Sequence, residues 1–148
     1  MKILVAIDGT SCSEPVLREL TERAWPEGSE VRILSIVHPR PWFHDPFGVG
    51  AAIYVQSRLA EESRAARDLE QVAERVHQRA ADLKVSTAMP EGSPGARIVE
   101  EAERWGADLV LVGTHGYNLA ERLLHGSVSR EVAAHAPCSV EIVRAGHS

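Results

Sequence analysis

The residues best equipped for chemistry lie in one stretch, Gly113-Thr114-His115-Gly116 through Gly126-Ser127-Val128-Ser129, and at Asp8 near the start of the chain. Glycines at 113 and 116 let a chain turn sharply, and without side chains their backbone N–H groups can come close to a phosphate. Gly126-Ser127 opens a helix, whose first N–H groups and positive dipole end favour an anion. The hydroxyls of Ser127 and Ser129 are donors for phosphate oxygens. His115, inside the glycine segment, can hydrogen-bond a phosphate with a charge that varies around neutral pH. Each feature also has a plainer reading: Gly113-x2-Gly116 as a tight strand exit, Ser127 as a helix cap, Asp8 as a turn or cap residue. Their combination, after one strand and at the start of one helix, points to phosphate binding.

The elements that must position these residues follow from the apolar pattern. Lys2–Ile7 (KILVAI), Val31–Val37, Val85–Met89, Asp108–Val112 and Ser139–Val143 are short runs rich in aliphatic and β-branched residues. Such runs suit strands buried on both faces, as in a parallel sheet. Between them, helical spacing predicts a helix from Ser13, a plausible N-cap, through Ala24, ended by Pro26 and Gly28. Further helices are predicted over Ala51–Leu83, Pro94–Trp105 (Ser93 as N-cap, Pro94 at the first position, Gly106 as the stop) and Ser127–His135. His38–Gly50, with three prolines and three aromatic residues, reads as a long loop of the kind that often serves binding. The order is β-α-β-α-β-α-β-α-β. It predicts a doubly wound, five-stranded parallel sheet with helices on both faces. Such sheets bind ligands beyond the carboxyl ends of their strands, where strand order reverses. That rule selects the segments after Ile7, Val37 and Val112.

The spacing Gly-x2-Gly-x9-Gly-Ser resembles the nucleotide-binding signature of the universal stress proteins. The resemblance covers the whole chain: KILVAIDGTS matches the family's opening strand and acidic turn, DLVLVGTHG its fourth strand and glycine exit, and GSVSREVAAHAPCSVEIVR its last helix and strand. From His38 to Ala80 the match is in outline only. The fold implied is that of the adenine nucleotide alpha hydrolase-like, Rossmann-like group. The ligand implied is ATP, or ADP or AMP, with or without Mg²⁺. Position by position, the resemblance implies that Asp8 accepts a hydrogen bond from the ribose, with Ala6 and Ile7 lining the pocket. Ile36 would contact the adenine through its backbone, although Ser35 stands before it where many relatives have a histidine. Gly113, His115 and Gly116 would wrap the phosphates, and Gly126, Ser127, Val128 and Ser129 would bind them from the other side. It also implies a homodimer paired through the strand Ser139–Val143.

Other chemistries are poorly served. No Gly-x4-Gly-Lys-Ser/Thr, Gly-x-Gly-x-x-Gly, Gly-x-Ser-x-Gly or His-Glu-x-x-His is present, which argues against P-loop, dinucleotide-binding, hydrolase and zincin sites. The only lysines are Lys2 and Lys84, and Asp8 is the one good acidic candidate, so hydrolysis is expected to be slow or absent. No catalytic residue is assigned. His38, His44, His77, His125, His135 and His147 show no metal-ligand spacing, and no metal site is expected. The net charge of −5, with arginines scattered among glutamates, speaks against nucleic acid as a partner.

With 148 residues the chain fits one domain, 1–148, able to bury a core. No apolar run approaches the ~18 residues of a membrane span, and Cys12 and Cys138 stand far apart outside any CxxC pattern. A cytoplasmic location is the expectation. The reading is a nucleotide-binding regulatory protein. Its alternatives are an interaction protein of the same fold without nucleotide, and a weak ATPase.

Overall fold

The computed structural model describes residues 1–8, 13–39, 48–114 and 127–144. Five strands, β1 (Lys2–Ile7), β2 (Glu30–Ser35), β3 (Lys84–Ala88), β4 (Leu109–Gly113) and β5 (Ser139–Val143), alternate with four helices, α1 (Glu14–Glu22), α2 (Val49–Arg79), α3 (Pro94–Trp105) and α4 (Ser127–His135). The strands form one sheet in the order β3-β2-β1-β4-β5, and every pairing is parallel. The doubly wound fold expected from the sequence is therefore the fold observed.

Strand alternation divides the core into two layers. Ile3, Val5 and Ile7 of β1, with Val31 and Ile33 of β2, pack against Val16, Leu17 and Leu20 of α1 and Leu69 and Val76 of α2. Leu4, Leu34, Val110 and Val112 face the other way, against Ile98 and Ala102 of α3 and Val132 of α4. Helices thus cover both faces. Burying a Leu or Ile side chain contributes about 1.5–3 kcal/mol, so these two layers supply most of the drive to fold.

Local rules account for the ends of most elements, and they correct several expected boundaries. α1 stops at Glu22 rather than Ala24, because Arg23 is extended. Arg23 reaches Glu141 on β5 with bonds of 2.8 and 2.7 Å, and Trp25 Nε1–H donates to the Leu20 carbonyl at 2.8 Å. α2 starts at Val49, two residues before Ala51, and stops at Arg79 rather than Leu83. Beyond it a turn, with the Leu83 N–H on the Ala80 carbonyl, drops Leu83 into the core before Lys84 N–H joins the Ser29 carbonyl. α3 ends as Gly106 predicts. Its φ of 71° is left-handed, and Gly106 and Ala107 donate to the carbonyls of Glu103 and Ala102, which satisfies two free helix carbonyls.

The amino end of the sheet is pinned by charge. Glu101, almost fully buried on α3, accepts bonds from Arg32 of β2 at 2.7 Å and from Arg104. Arg32 and Lys2 both lie over the Trp105 ring, 4.7 and 5.4 Å from its centre. Burial pushes the Glu101 carboxyl up, but the hydrogen bonds from Arg104 and Arg32 outweigh it and hold the group below its ordinary range.

Candidate nucleotide site

The site is built where strand order reverses. β1 pairs with β2 on one side and β4 on the other, and the two crossovers leave in opposite directions. In register, Ile7 stands beside Ser35, so Asp8 and Ile36 are the next residues along their strands. Val5 stands beside Leu111, so two residues further come Ile7 and Gly113. The carboxyl ends of β1, β2 and β4 thus bring Asp8, Ile36 and Gly113 to one edge of the sheet. α4 adds its amino end to that edge. Val128 and Val132 pack it on the β1–β4 face, and only Ala136-Pro137-Cys138 separates its last residue from the amino end of β5. The helix therefore runs back from the carboxyl edge, with Ser127 at its start.

The individual side chains differ in what they can offer. Ile7 is buried in the α1–α2 layer and Ile36 in the α3–α4 layer. Their side chains belong to the core, and only backbone groups remain for a ligand. Ala6 is half-buried and faces the α3–α4 side, opposite to Ile7. Ser127 is exposed, Val128 half-buried and Ser129 buried. Gly113 closes β4 beside Val143, and the next N–H, of Thr114, donates to the Val143 carbonyl at 3.1 Å. His115, Gly116 and Gly126 lie outside the described residues, as does residue range 40–47 of the expected loop.

Three features escape a reading of the sequence. Val37, expected to close the second strand, lies beyond β2 and forms an isolated bridge with Glu91. Its N–H donates to the Pro90 carbonyl and its carbonyl accepts from the Gly92 N–H, both at 2.9 Å, so the turn after β3 holds this residue. Arg58 of α2 reaches the same turn, bonding Glu91 at 2.6 Å while also holding Glu62 at 2.8 Å. Ser13, expected as a cap, instead bonds Asp8, with Oγ 2.8 Å from Oδ1. The one available signal was that Ser13 is a polar residue within a turn's reach of Asp8.

Among the described residues no three His, Cys, Asp or Glu side chains gather to hold a metal ion. Asp8 brings one carboxylate to the ends of β1 and β4. That fits Mg²⁺ arriving with phosphates and waters, since this ion commonly uses one or two carboxylates plus substrate phosphates. Among the described residues no helix is long and apolar enough to cross a membrane.

The comparisons with known proteins agree with this fold. The family model for the Universal stress protein family matches residues 1–144. A universal stress protein of Methanocaldococcus jannaschii is 32% identical over 144 residues, covering 97% of this chain and 81% of that one. The solved universal stress protein of Lactobacillus plantarum superposes with a TM-score of 0.78 at 23% identity, covering 97% of each chain. A universal stress protein solved in complex with cAMP is 26% identical, with a TM-score of 0.62 over 97% of this chain and 96% of that one. This chain belongs to the universal stress protein family.

Proposed function

We propose that the chain binds an adenine nucleotide, with ATP foremost and ADP or AMP as related ligands, at the carboxyl edge between β1 and β4. The observation that carries this is the reversal of strand order there, which brackets the edge with Asp8 on one side and Gly113 on the other. The cAMP held by a relative of 26% identity supports an adenine ligand for this chain as well. In this reading Asp8 receives the ribose hydroxyls, and the backbone at Ile36 meets the adenine. The phosphates lie against Gly113, His115 and Gly116 on one side and Gly126, Ser127, Val128 and Ser129 on the other. The start of α4 supplies N–H donors and a positive dipole end. Mg²⁺, if it accompanies the nucleotide, is held by phosphates and by Asp8.

The protein acts as a cytoplasmic regulator whose state depends on the bound nucleotide, with hydrolysis slow or absent. Rapid phosphoryl transfer needs charge compensation and a positioned base, and the segment from Gly113 to Ser129 contains no lysine. A homodimer completes the reading. β5 is an edge strand, and Ile142 on it is 41% exposed, so pairing with the same strand of a second copy would cover both.

The test is thermal unfolding of the purified chain with and without Mg-ATP, alongside mass spectrometry of small molecules released by acid. At ~100 times the dissociation constant a ligand stabilises by about 2.7 kcal/mol, which is roughly 5–10 °C in Tm for a chain of this size. Released adenine nucleotide or a shift of that order supports the proposal. Neither one, at millimolar ATP, contradicts it.

A further inference from the structure

Ser13 stands just before α1, where a serine ordinarily accepts an N–H of the first helical turn. Here its backbone is helical, with φ −77° and ψ −21°, and its side chain makes no cap hydrogen bond. Part of the reason is Pro15, the second residue of α1, which has no N–H to offer. The hydroxyl turns back instead. It donates to Asp8 Oδ1 at 2.8 Å and accepts the Asp8 backbone N–H at 3.2 Å. Ser13 is buried, at 8% exposure, so water competes little for its single proton. The last torsion of an aspartate side chain is broad and roughly two-fold. A hydroxyl that bonds both the carboxylate and the backbone N–H of the same residue narrows it. An ionised carboxylate has about four acceptor sites, and the Ser13 hydroxyl takes one of them.

We infer that Ser13 is a positioning residue of the nucleotide site: it holds the Asp8 carboxylate in the orientation that receives the ribose hydroxyls. Ser13 thereby sets the preference for ribose over a sugar that lacks them. Fixing the acceptor beforehand removes an ordering cost that binding would otherwise carry. The inference rests on the proposed contact between Asp8 and ribose.

Calorimetric titrations of the full chain with ATP and with 2′,3′-dideoxy-ATP test it. The wild type is expected to prefer ATP. Ser13→Ala should lose about tenfold in ATP affinity and little in dideoxy-ATP affinity, as fits one hydrogen bond to a charged group. Ser13→Thr, which keeps the hydroxyl, should restore the preference. Ser13→Cys, close to serine in size with a weak donor, carries the same expectation as Ser13→Ala if the alanine variant does not fold. Equal losses for both ligands mean a general structural role and overturn the inference. So does a Ser13→Ala protein that discriminates as well as wild type, and that result leaves the Asp8 contact standing. A wild type that binds both ligands equally, or neither, overturns the Asp8 contact and the inference together.

Discussion

A Cβ added to Gly95 of α3 would run into the carboxylate of Glu131 on α4 and stand 2.9 Å from its Cγ. Gly95 is buried where α3 meets α4, and this close approach helps fix α4, the helix that brings Ser127–Ser129 to the carboxyl edge. Glu131 is exposed and can swing aside for a methyl group. Gly95→Ala should therefore be near neutral, since alanine also favours a helix by up to about 1 kcal/mol over glycine. Gly95→Leu exceeds what a swing can accommodate and should cost about 1–3 kcal/mol. Glu131→Ala should recover part of that loss, and a double-mutant cycle by urea unfolding measures the coupling. Strict additivity would show that the two helices do not meet at this pair.

The second prediction concerns acid. The carboxyl of Glu101 is held below its ordinary value, near 4.5, by Arg104 and Arg32 against the opposing effect of burial. A group lowered in the folded state stabilises fully above the unfolded value, and that contribution is lost as pH falls through the folded value. Glu101→Gln should cost about 1–3 kcal/mol at pH 7. The gap between wild type and variant should narrow from about pH 5 downward. Urea unfolding at pH 7, 5, 4 and 3 reads this directly. A gap constant across the series would mean that the carboxylate charge contributes nothing.

The third prediction concerns assembly. Ile142 lies on the edge strand β5 with 41% of its surface exposed. Ile142→Glu would place like charges together in a paired two-fold edge. Sedimentation should show a dimer for wild type and a monomer for the variant, with the far-ultraviolet spectrum unchanged. A wild type that sediments as a monomer, or a variant that remains a dimer, would exclude pairing through this strand.

Much of this was legible in the sequence because it is local. Apolar runs such as KILVAI mark strands buried on both faces, and Pro94 and Gly106 bracket α3 as their backbone preferences require. The general rule for right-handed crossovers led only as far as a doubly wound sheet, and the order β3-β2-β1-β4-β5 came from the structure. What stayed hidden depends on partners distant in sequence. Arg32 looks like one more charged residue until Glu101, 69 residues away, and Trp105 come beside it. Val37 continues an apolar run, yet the turn at Pro90–Gly92 takes its hydrogen bonds and ends its strand. Ser13 fits a helix cap by type and place, and Pro15 together with Asp8 gives its hydroxyl a different partner. At the candidate site, Asp8, Ile36 and Gly113 stand at the expected edge. Ile7 and Ile36, however, place their side chains in the core, which strand alternation alone could not assign.

The central claim is that an adenine nucleotide binds at the edge marked by Asp8, and one titration tests it most directly. ATP is titrated calorimetrically into the wild type and into Asp8→Ala under the same buffer and salt. Saturable binding at one site per chain is predicted for the wild type, with affinity weakened about tenfold or more in the variant, as fits loss of a hydrogen bond to a charged group. No heat with wild type, or equal affinity in the two proteins, would contradict the account.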